Sequence, residues 1–158
     1  MTLAKQGMTA QRLGTRLGNP FTMKRFRLIE HTADIGLVAY GHDLAEAYAN
    51  AAYGLFAIMT DLRKVRAVES RRVELKEKDA ESLLFEWLNH LVYFFDAQQL
   101  LFRRFTIERF DGVSLAAVCH GERFDAARHE IKVGVKSATY HQLTVDTHKN
   151  CVRVIFDI

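Results

Sequence analysis

A chain of 158 residues, 49% hydrophobic and 26% charged, is long enough to bury one proper core and too ordinary in composition for a disordered or fibrous protein. Its net charge of +3 comes wholly from residues 1–22, which hold Lys5, Arg12 and Arg16 and no acid; the rest carries 19 basic and 19 acidic side chains. A neutral domain lacks the electrostatic footprint of sustained phosphate binding, so any RNA is expected to be handled indirectly, by a partner.

Residues 1–22 contain no apolar run, which speaks against a secretory signal or a membrane span. They are expected to form a flexible extension, or to precede the true start at Met23, with the folded domain over residues 23–158. Cys119 and Cys151 are far apart and in no C-x-x-C arrangement. Packed thiols in a reducing, cytoplasmic setting are expected rather than a disulfide or a zinc site.

Residues 24–30 alternate basic and apolar side chains, as in a strand with one wet face, and residues 35–40 form a second strand closed by Gly41 and His42. Asp43 is a good helix N-cap, with Glu46 three residues on. Leu44, Ala47, Tyr48, Ala51, Ala52, Leu55, Phe56 and Met59 follow at steps of three and four, which gives a helix with one apolar stripe. Gly54 inside it costs about 1 kcal/mol relative to Ala, a cost that close backbone approach to a sheet would explain.

Residues 60–67 read as a charged connector and residues 68–75 as a strand. Asp79 caps a second helix, running to about Asp96, whose apolar set from Leu83 to Phe95 is broad enough for deep burial. The period then changes from 3.6 to 2. Residues 101–110 and 113–119 flank Asp111-Gly112, a two-residue hairpin signal. Residues 121–129 look irregular, and residues 130–135, 139–145 and 151–156 supply the remaining strands. The order predicts an α+β, two-layer sandwich: two helices packed on one face of a largely antiparallel sheet.

Three stretches could carry chemistry. His31-Thr32-Ala33-Asp34-Ile35-Gly36 places a His and an Asp in a tight polar connection at a strand end. By itself Asp34 reads either as a turn residue capping nearby amides or as a ligand of a hard cation. Gly134-Val135-Lys136-Ser137-Ala138-Thr139-Tyr140-His141 puts Lys136 where strand alternation gives way to small and hydroxyl residues; its ammonium could meet acidic groups or a nucleotide phosphate. The chain closes on Phe156-Asp157-Ile158 after an apolar strand, so Asp157 and the terminal carboxylate of Ile158 lie within two residues. Three carboxylates drawn together repel unless a cation neutralises them, and oxygen-only ligands favour calcium or magnesium over zinc.

Together, HTADIG, VKSATYH and an ending in Asp-Ile resemble the archease family over residues 23–158. That resemblance implies a protein cofactor, not itself an enzyme. It would activate an RtcB-type, GTP-dependent tRNA-splicing RNA ligase by promoting guanylylation, with GTP met only through the ligase. It implies a divalent metal, calcium before magnesium or manganese, on Asp34, Asp157 and the Ile158 carboxylate. Asp34, Lys136 and Asp157 would be the residues functional in activation. His31 would orient a ligand by hydrogen bonding, and Thr139 and His141 would line the same surface. The competing readings are a stand-alone metal-dependent hydrolase, for which no nucleophile–base pair is apparent, and a small binding or chaperone module.

Overall fold

The computed structural model describes residues 24–30 and 33–158. Among the described residues there are seven strands, all paired antiparallel, two long helices and a 3-10 turn (Leu62–Lys64), so the α+β class and antiparallel pairing expected from the sequence are present. The strands divide into two sheets. β1 (Phe26–Glu30), β2 (Asp34–Tyr40), β6 (Ser137–Asp146) and β7 (Cys151–Asp157) form one, in the order β1-β2-β7-β6. The second contains β3 (Glu69–Lys76), β4 (Leu100–Phe110) and β5 (Ser114–Arg123), in the order β3-β5-β4.

Helix α1 (Leu44–Met59) packs on β2 and β4, and α2 (Ala80–Gln98) on β6 and on β3, β4 and β5. Each helix therefore touches both sheets, and the fully buried side chains of Trp87, Tyr48, Phe56, Phe102, Phe156 and Leu37 fill the space between. The Trp87 indole N–H donates to the Tyr48 carbonyl at 3.0 Å, joining the helices inside this core. A Cβ on Gly54 would lie 2.4 Å from Leu37 Cδ1, so α1 does lie close on β2 and the glycine's propensity cost purchases that approach.

Both helix starts follow their capping signals. Asp43 Oδ1 accepts the Glu46 N–H at 2.8 Å and Asp79 Oδ1 accepts the Ser82 N–H at 2.7 Å. Glu46 turns back to the His42 N–H at 2.6 Å. Helix α2 stops where Gln99 takes a left-handed conformation (φ 58°).

Three local expectations need correction. Residues 130–135 form no strand: the Lys132 N–H goes to the Met59 carbonyl at 2.7 Å, at the end of α1, instead of into a ladder. Ile131, Val133 and Val135 pack on the core, and a period of two reports one buried side whether or not the backbone has a strand partner. The β4–β5 loop is longer than a two-residue turn. Phe110 pairs with Leu115, and the Asp111 carboxylate caps the loop by accepting the N–H groups of Val113 and Ser114. Strand β5 also runs through Gly121, Glu122 and Arg123, into the stretch expected to be irregular.

That extension carries a buried acid. Glu122, 3% exposed, accepts from Arg128 Nη2 (2.6 Å), from the Arg66 backbone N–H (2.8 Å) and from Arg66 Nε (3.0 Å). Buried His129 accepts the Asp125 N–H at Nδ1 (2.9 Å), which leaves Nε2 to donate to Glu122 Oε2 (2.9 Å). Burial opposes ionisation of Glu122, yet the hydrogen bonds from Arg128, Arg66 and His129 outweigh it and bring the carboxyl down to about 2. The network pins the segment after β5 to the connector before β3. Among the described residues no helix is long and apolar enough to cross a membrane.

Candidate functional site

The chemistry-bearing stretches meet at one end of the four-stranded sheet. Strand β2 begins at Asp34, β7 ends at Asp157, and their register sets the two aspartates directly opposite each other. On the other flank of β7, Ser137 at the start of β6 is the register partner of Asp157. Opposed residues of an antiparallel sheet share a face, so Asp34, Asp157 and Ser137 form one row across three strand ends.

The core dictates this row. Ile35, Leu37 and Ala39 pair with Phe156, Val154 and Val152, and all six belong to the main core or pack on it. The intervening pairs, Asp34 with Asp157, Gly36 with Ile155 and Val38 with Arg153, occupy the other face. A slip of one residue would push Arg153 into the core.

Lys136 precedes β6, is exposed, and donates its backbone N–H to the Asp157 carbonyl at 2.8 Å. Ile158 follows Asp157 half-buried, its side chain packed on the core. The structure thus brings Asp34, Lys136, Asp157 and Ile158 together. Thr139 reaches the neighbourhood differently: its hydroxyl donates to the Ile155 carbonyl at 2.9 Å and helps join β6 to β7. His141 is not brought in. It sits exposed where the β6–β7 register breaks between Thr139 and Thr144, next to Gln142 with φ 55°. His31 lies outside the described residues.

Electrostatically the row is unsettled. Two like charges face each other across the ladder, and neither is ion-paired among the described residues. Asp34 Oδ1 is buried and has no hydrogen-bond partner among those residues. A carboxylate oxygen hidden from water without a partner is costly, and the cost disappears if a cation or a donor arrives. Among the described residues the donors at this end are oxygens, which suit a hard divalent cation better than zinc. Among the described residues no three His, Cys, Asp or Glu side chains form a metal cage.

Asn89 is a positioning residue that the sequence did not disclose. From α2 it accepts the Ala138 N–H at 2.8 Å and donates to the Ala138 carbonyl at 3.3 Å. Strand β6 is an edge strand, so this clamp satisfies backbone that no neighbouring strand can. It also fixes β6 one residue from Ser137. The only advance signal was a polar residue in the broadly apolar run of α2.

Four surface clefts elsewhere on the molecule are lined by none of Asp34, Lys136, Asp157 and Ile158.

Comparison with known proteins bears on the family and the fold. The model of the Archease protein family (MTH1598/TM1083) matches residues 26–158. The chain is 39% identical over 129 residues to the protein archease of Sulfurisphaera tokodaii, spanning 81% of this chain and 93% of that one. It is 39% identical over 141 residues to the protein archease of Methanothermobacter thermautotrophicus, spanning 86% of this chain and all of that one. The solution structure of Methanobacterium thermoautotrophicum protein 1598 superposes with a TM-score of 0.71 at 38% identity, over 86% of this chain and 100% of that one. The crystal structure of a Thermotoga maritima archease, described as a possible chaperone, shares the fold with a TM-score of 0.52 at 20% identity, over 87% and 98% of the two chains.

Proposed function

Because this chain belongs to the archease family, we propose that its acidic sheet end holds a divalent cation and engages an RtcB-type RNA ligase, promoting GTP-dependent guanylylation of that enzyme. The observation that carries the reading is the buried Asp34 Oδ1, without a hydrogen-bond partner among the described residues and on the residue opposite Asp157. Calcium fits this oxygen donor set, with magnesium or manganese as alternatives. Asp34 and Asp157 hold the ion from two adjacent strands, and Ile158 adds its terminal carboxylate.

A divalent cation supplies charge neutralisation for phosphoryl transfer and a template that orients the phosphate oxygens. The chain's own residues present that charge. Lys136, exposed beside the row and tied to Asp157 through its backbone N–H, offers an ammonium to a phosphate oxygen of GTP in the ligase site. The β2–β7 ladder and the Asn89 clamp hold these groups in one arrangement, so little ordering is needed on docking. The chain then acts as a protein cofactor in the cytoplasm and performs no turnover alone, and RNA is met through the ligase.

The test mixes the purified chain at substoichiometric amounts with ligase and labelled GTP. Guanylylated ligase should accumulate in excess of the added chain, and Asp34→Ala or Asp157→Ala should abolish the stimulation. Full stimulation by either variant removes the cation from the mechanism. Phosphate released from GTP by the chain alone would instead mark a hydrolase. A chain that neither stimulates the ligase nor releases phosphate would leave the chaperone reading, the description carried by the Thermotoga maritima structure.

A further inference from the structure

We infer that a second site, about 20 Å along β2 from the acidic row, binds a phosphate group through three arginines. Arg25, Arg103 and Arg104 line one surface cavity of about 350 Å³ with Tyr53 and Ala67, and no lining residue is acidic. The cavity sits at the opposite end of the sheet from Asp34: the Arg25 carbonyl accepts the N–H of Tyr40, the last residue of β2.

The backbone is specially shaped to gather these charges. Adjacent strand residues normally point to opposite faces. Along β4, Phe102 pairs with Gly121 and Arg104 with His120, which leaves Arg103 as the extra residue of a bulge. Phe102 is fully buried, while Arg103 and Arg104 are both exposed and line the same cavity. The bulge requires a glycine opposite it: a Cβ on Gly121 would fall 1.8 Å from the Leu101 carbonyl oxygen and 2.7 Å from Phe102 Cα.

Arg25 is held just as deliberately. Its Nε donates to Asn50 Oδ1 at 3.1 Å, and buried Asn50 in turn donates to the Tyr40 carbonyl at 2.7 Å. Its guanidinium carbon lies 3.8 Å from the centroid of the Tyr53 ring, a cation–π contact. Arg103 donates one Nη to the Val65 carbonyl at 3.1 Å. Each of these two guanidiniums is fixed through one nitrogen and keeps others for a ligand.

Three guanidiniums exceed what one carboxylate neutralises. A phosphate monoester, with a charge of about −1.5 to −2 and three strong acceptor oxygens, matches their number and their forked geometry. The site departs from the expectation that a neutral domain makes no phosphate contact of its own. Net charge sums over the surface, whereas binding depends on where the charges are placed.

The test titrates the full chain, at physiological ionic strength, with pyrophosphate and separately with a fluorescent oligouridylate of 12 nucleotides. Arg104→Ala is the probing variant, since the Arg104 side chain makes no hydrogen bond among the described residues, whereas its backbone belongs to the β4–β5 ladder. Arg109→Ala, on the same strand, is the control. At least one probe should bind saturably, weakened about tenfold or more by Arg104→Ala and less than about twofold by Arg109→Ala. Binding of both probes indicates recognition of a single phosphate group; binding of the oligonucleotide alone indicates a strand backbone. Absence of binding, equal losses in the two variants, or tighter binding of polyglutamate than of either probe overturns the assignment. Asp34→Ala should leave this binding unchanged, so failure here is distinguishable from failure of the ligase reading.

Discussion

Replacing Asp34 with Asn tests, without removing a side chain, whether a cation binds at the sheet end. Opposed side chains in an antiparallel pair stand about 5 Å apart, where two carboxylates repel by about 1 kcal/mol in water-like surroundings and about 3 kcal/mol at an effective dielectric of about 20. Asp157 is exposed, so the lower figure applies, and in chelator Asp34→Asn should match or slightly exceed the parent in stability. With calcium at about 100 times its dissociation constant, the parent should gain about 2.7 kcal/mol, or about 5–10 °C in Tm for a chain of this size. The variant, with one ligand charge gone, should gain much less. The assay is built into the chain: its single tryptophan, Trp87, is fully buried, so its emission follows unfolding directly. A parent whose Tm ignores calcium, magnesium and manganese, or a variant that shifts as far as the parent, refutes the reasoning.

Glu122→Gln should destabilise the protein by about 1–3 kcal/mol in urea unfolding at neutral pH, because charge-assisted hydrogen bonds from Arg66 and Arg128 are lost. The Glu122 carboxyl is held at about 2 in the fold against an ordinary 4.5. Its contribution is therefore present above about pH 4.5 and lost as pH falls toward 2, and the variant's stability should vary less across that window than the parent's. Gly121→Ala forces a Cβ into the Leu101 carbonyl and should cost about 3 kcal/mol, the upper part of the overpacking range, in the same urea assay. Extending the chain beyond Ile158 with a short tag should impair ligase stimulation by displacing the terminal carboxylate while the Tm in chelator stays near the parent's. Equal stimulation by the tagged chain would show that carboxylate to be dispensable.

The helices could be read in advance because their signals are local: Asp43 and Asp79 cap the helices they precede, and the apolar steps lie within each segment. The strands were recognisable by period alone, yet their division into two sheets depends on pairings between distant segments that no short window contains. Residues 130–135 show the limit of that signal, since a buried side produces alternation without a ladder. The acidic row belongs to the same class of fact. Asp34 and Asp157 are neighbours only because β2 and β7 pair in one register, and the sequence-level grouping came from a family resemblance rather than from spacing. The arginine cavity was hidden more deeply, because two adjacent arginines look like an ordinary wet strand until a bulge turns them to one side.

The register that buries the core also aims the chemistry, which makes the two inseparable. Phe156 and Val154 seat β7 against Ile35 and Leu37, and that seating leaves Asp157 one choice of partner, Asp34. Any shift that separated the carboxylates by one step would expose Phe156 and insert Arg153, a penalty of several kcal/mol from lost apolar burial and a buried charge. Repulsion of about 1 kcal/mol between the aspartates cannot compete with it. The fold can therefore hold an unfavourable acidic pair in place, as the proposed cation site requires. A site on a loop would have relaxed away from the strain, whereas a site at the end of a core ladder keeps it available for binding.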